Sequence, residues 1–97
     1  MADMSELFTE MVATLQDARQ TVSYELEALS RAPYLDTRSL VVLDQSLRTF
    51  AGQADALVAL MAKTGAADDQ VAVAKVLLGF FRSARERITA MLVVGRQ

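Results

Sequence analysis

Residues 40–61 read LVVLDQSLRTFAGQADALVALM, and their spacing decides the fold. Leu40, Leu43, Leu47, Phe50, Ala54, Leu57 and Met61 recur in alternating steps of three and four. A helix turns once every 3.6 residues, so these positions form one stripe with the spacing of a coiled-coil seam. Ala, Leu and Met are strong helix formers, so local preference agrees with the pattern. The expected helix covers residues 37–64. Asp36 or Thr37 stands where an N-cap belongs, Lys63 falls in the last turn, and Gly65 is placed to end the helix with positive φ.

The same periodicity continues on both sides. Upstream, Met4, Phe8, Met11, Leu15, Ala18, Val22, Leu26 and Leu29 form a stripe with Leu7 at its edge. Glu6, Glu10, Asp17, Gln20, Glu27 and Arg31 lie opposite. This predicts an amphipathic helix over 3–31, with Ser5 as its candidate cap. Pro33 stops it, because proline cannot donate to the helix ladder and pushes Ala32 away from helical angles. Downstream, Val73, Val76, Leu77, Phe80, Phe81, Ala84, Ile88 and Met91 fill a broad arc, with Lys75, Arg82, Arg85, Glu86 and Arg96 opposite. This predicts a third helix over 69–94, closed by Gly95. Short loops make successive helices antiparallel. The expectation is one all-α domain, an up-down-up bundle of three long helices, completed by dimerisation.

Composition narrows the chemistry. The chain has 97 residues, 53% of them hydrophobic, which suits one small folded domain rather than a disordered segment. It contains no cysteine and no histidine, so disulfides, thiolate metal sites and imidazole catalysis are excluded. Glu-x-x-His metal bundles are excluded with them. No catalytic constellation or phosphate loop is present, and the expectation is a non-enzymatic protein with no cofactor. Residues 1–48 hold eight acids and four bases, and residues 49–97 hold four acids and six bases, for a net charge of −2. Nucleic acid is a poor match for so acidic a chain. No positively charged leader or membrane-length apolar run is seen, and a cytoplasmic setting is expected. Eight arginines against two lysines, with abundant Ala and Val, suggest a GC-rich bacterial source.

The most informative candidate site is a second stripe on the middle helix. Val42, Thr49, Ala56 and Leu60 lie nearly opposite the seam, with Val41, Gly52 and Ala59 beside them, where a surface helix should be polar. Asp44, Arg48 and Asp55 are confined to one flank. This stripe is the expected oligomer or partner interface. The competing account is that the middle helix is simply more enclosed by its neighbours. Arg82, Arg85 and Arg96 share one face and could contact an anion or an acidic partner, although a solvated face explains them as well. In a parallel first and third helix these arginines would lie beside Glu25, Glu27, Asp36 and Asp44. Glu25 and Arg87 could meet as an inter-helix polar pair, or snorkel separately to water. The exposed edge of Tyr24 is a weaker partner contact, and Val71, Leu78, Leu92 and Val93 fall outside the main arc of the third helix.

These features describe a helical interaction module that forms a homodimer and binds or regulates another protein, in the manner of an adaptor, chaperone, anti-activator or inhibitor. The alternative is a phosphate- or nucleic-acid-binding accessory protein using the three arginines. No family is assigned. The chain shares length and helicity with small Trp-X-Gly helical-hairpin secretion substrates, but it has no tryptophan, and Phe50-Ala51-Gly52 falls mid-helix rather than at a turn.

Overall fold

The computed structural model describes residues 4–95. It contains α1 (Met4–Arg31), α2 (Thr37–Thr64) and α3 (Asp68–Gly95), which pack against one another in a bundle 52 Å long and 18 Å across. Among the described residues there is no strand. The helix bounds fall within one residue of those expected, and Asp3 lies outside the described residues.

Side-chain links fix the directions. Gln70, near the start of α3, donates to Ser5 and Thr9 at the start of α1, while Arg87 donates to Ser30 near the other end of both helices. The two helices are therefore parallel. Arg82 and Arg85 of α3 meet Asp55 and Asp44 of α2 in reversed order, so α2 runs antiparallel.

The turns use local chemistry. Asp36 caps α2: its carboxylate accepts from the Ser39 backbone N–H at 3.1 Å and from the Ser39 hydroxyl at 2.7 Å. These two bonds, with the charge of Arg38, hold its carboxyl below the usual range, the Ser39 backbone N–H having the largest effect. At the far end Gly65 adopts φ 69° and ψ 39°, and both Gly65 and Ala66 donate to the Met61 carbonyl. Gly95 matters for closeness rather than for φ. A Cβ there would run into Leu35 Cδ2, the far end of a side chain on the α1–α2 loop that would have to turn aside.

The core follows the seam. Leu40, Leu43, Leu47, Ala54, Leu57 and Met61 are all buried, and Phe50 packs against them. Each large side chain so removed from water contributes about 1.5–3 kcal/mol. On α1, Phe8, Leu15, Val22 and Leu26 are buried, and Met11, Ala18 and Leu29 are partly so. Met4, expected on that stripe, is exposed because it is the first residue of α1, at the end of the bundle.

The face of α3 needs correction. Val73 and Val76 were expected in the core and are exposed, whereas Ala74 and Leu78 are buried, with Val71 and Leu92 packed beside them. The helix is rotated toward α2, its closest neighbour. Two causes act together. Buried Ala54, Ala74 and Ala84 let helices approach closely, and the arginine–aspartate links pull the Leu78 flank onto α2. Midway along the bundle Phe81 contacts both Phe50 and Phe80 at 5.5 Å between centroids, and Arg19 of α1 lies 4.8 Å above Phe80.

Candidate functional site

The outer face of α2 decides between the two accounts of its second stripe. Val42, Thr49, Gly52, Ala56, Ala59 and Leu60 are all exposed, and Val41 with them. Neither neighbouring helix covers the stripe, so enclosure within the subunit does not explain it. Val42 is 57% exposed, and a Cβ added to Gly52 would meet nothing within 4 Å.

The charges of α2 are held away from this face. Between Arg38 and Lys63 they are Asp44, Arg48 and Asp55. Asp44 accepts from Arg85 Nε at 3.2 Å and pairs with Arg48 at 3.4 Å, and Asp55 lies 3.7 Å from Arg82. The α3 arginines thus collect α2's acids along one edge. What remains on the outside is an uncharged surface about 35 Å long at 1.5 Å per residue.

Arg82 and Arg85 do share a face, and with Glu86 and Thr89 they border a shallow depression of about 410 Å³. Their guanidinium groups already face carboxylates, which an incoming phosphate would have to displace. Arg96 lies outside the described residues. Of the acids expected beside these arginines, only Asp44 is there. Glu27 pairs with Arg31 of its own helix, and Asp36 caps α2.

Glu25 and Arg87 do not meet. Arg87 is exposed and donates to Ser30 Oγ at 3.2 Å, while Glu25 lies on the α2 side of α1 and makes no ion pair among the described residues. The two lie on different edges of α1: Arg87 reaches the α3-facing Ser30, and Glu25 borders the groove with α2.

A site not foreseen from the sequence lies between α1 and α2. Tyr24, Glu25 and Ala28 face Arg38, Val42 and Ser46 across an open groove of about 590 Å³, floored by Leu29 and Leu43. No protein-family model, curated protein or solved structure matches the chain. The groove is not legible in the sequence because it depends on where the side-chain links between helices fall, and periodicity is silent on that. Among the described residues no group of three acids gathers as a metal site, and no helix is long and apolar enough to cross a membrane.

Proposed function

We propose that this protein is a non-enzymatic helical interaction module that self-associates and, once assembled, binds or regulates another protein. The outer face of α2 carries this reading. It is exposed, uncharged between Arg38 and Lys63, and studded with Val42 and Leu60. An exposed helix face that carries no charge and presents apolar side chains suits an interaction site. The homodimer is the simplest assembly, because most soluble oligomers close by two-fold symmetry. A cytoplasmic setting belongs to the same reading and draws on the cysteine-free composition.

Sedimentation velocity tests it. The expected result is a concentration-dependent dimer that Val42→Glu and Leu60→Glu convert to monomer while far-UV circular dichroism stays helical. A wild-type chain that remains monomeric at high micromolar concentration overturns the proposal.

A further inference from the structure

The three sides of the bundle are not closed alike. Among the described residues, the side-chain hydrogen bonds and ion pairs that join two helices all end on α3: Gln70 and Arg87 reach α1, and Arg82 and Arg85 reach α2. Arg19 over Phe80 adds a further α1–α3 link. The α1–α2 seam has only apolar contact at its floor, and the open groove runs along it.

The two banks of that seam complement each other in charge. Helix α1 carries five acids against two arginines. Glu10 and Glu25 lie on its α2-facing bank by helical spacing, and neither has an ionic partner among the described residues. The unpaired bases of α2 are Arg38 and Lys63, one near each end. Exposed apolar groups accompany them at matching heights. Tyr24 and Val42 flank the groove near one end, and Leu7 and Leu60 stand near the other.

We infer that the α1–α2 face docks on the same face of a second copy, related by a two-fold axis parallel to the bundle. This rests on the self-association proposed above and specifies its partner surface and orientation. A two-fold along the axis sets α1 of each copy against α2 of the other at unchanged height. Every helix in the resulting four-helix layer then has antiparallel neighbours. Leu7 meets the other copy's Leu60, and Tyr24 and Ala28 meet its Val42. Glu25 and Arg38 are then offset by about 8 Å along the axis, within the combined reach of the two side chains, and Glu10 and Lys63 repeat the relation. A two-fold perpendicular to the bundle would instead face α1 with α1 and bring acids together. The bundle is 18 Å across, which bounds the width of the face. Over a helix length of about 40 Å it offers roughly 700 Å² per copy, close to an ordinary stable interface.

The absence of native cysteine makes cross-linking decisive. Separate Leu7→Cys and Leu60→Cys chains are mixed and treated with a short bismaleimide, and Ala28→Cys with Val42→Cys likewise. Both mixtures should give the mixed cross-linked dimer. Glu25→Arg and Arg38→Glu should each weaken dimerisation about fivefold, and the double variant should restore it. A dimer that instead cross-links Gln45→Cys to Ala56→Cys, back to back through α2, overturns this orientation while leaving self-association intact. A wild-type monomer in sedimentation overturns both.

Discussion

Arg85 Nε lies 3.2 Å from Asp44 Oδ1, tying α3 to α2 at a carboxylate that Arg48 also approaches. This pair does two things. It orients α3, bringing Leu78 rather than Val76 into the core. It also holds a charge of α2 at the α3 edge, away from the outer face.

The two arginine–aspartate links should therefore differ in strength. Asp44 has a side-chain exposure of 19% and serves two arginines, whereas Asp55 is 67% exposed and 3.7 Å from Arg82. Asp44→Ala is expected to cost about 1–2 kcal/mol, because it leaves Arg85 half-buried without a counter-charge. Asp55→Ala should cost less than about 0.5 kcal/mol. Urea titrations at one protein concentration measure both. Equal losses would show that the Asp44 link does not orient α3.

Two glycines should respond in opposite directions to alanine. Both have open space where a Cβ would stand. Gly65 sits at φ 69°, so Gly65→Ala strains the backbone and should destabilise by about 1 kcal/mol. Gly52 is helical, so Gly52→Ala should stabilise the monomer by about 1 kcal/mol through helix propensity. Thermal melts at low protein concentration distinguish them, and a stabilising Gly65→Ala would be incompatible with the left-handed cap.

The middle helix was legible because its seam is strict and its ends carry cap residues, Asp36 or Thr37 at one and Gly65 at the other. Asp36, Gly65 and all the seam residues from Leu40 to Met61 stand where periodicity puts them. The buried face of the third helix was less so, because apolar residues lie on both flanks of its main arc. Val73, Val76, Leu78 and Leu92 compete for the same arc, and hydrophobicity alone cannot rank them. What ranks them is tertiary: buried Ala54, Ala74 and Ala84 and the acids of α2. The outer stripe of α2 was visible because those positions stay uncharged over the whole helix. The adjoining groove was not, since it arises from the absence of α1–α2 latches.

Acid should weaken the start of α2. Asp36 has its carboxyl held down chiefly by the Ser39 N–H, then by the Ser39 hydroxyl and Arg38. A depressed folded value means the stabilisation is full above the unfolded value near 4 and disappears as pH falls through the folded one. Asp36→Asn keeps a neutral capping oxygen and removes this titration. Between about pH 5 and about pH 3 the wild-type melting temperature should fall more steeply than that of Asp36→Asn. Parallel curves would mean the cap carries no charge-dependent stability.

Two alanines on opposite sides of α2 separate packing from association. Ala54 is fully buried in the core, whereas Ala56 faces outward. Enlarging Ala54 drives a side chain into a filled space, so Ala54→Leu should cost about 1–3 kcal/mol. The same change at Ala56 meets solvent in the monomer and should leave its stability within about 0.5 kcal/mol. If the outer face associates, Ala56→Leu changes the dimer constant while the unfolding midpoint of the dilute monomer stays put. Chemical denaturation and sedimentation on the same two variants read the two effects separately. Tolerance of Ala54→Leu equal to that of Ala56→Leu would contradict close α2–α3 packing, the contact on which the rotation of α3 and the clearing of charge from the outer face both depend.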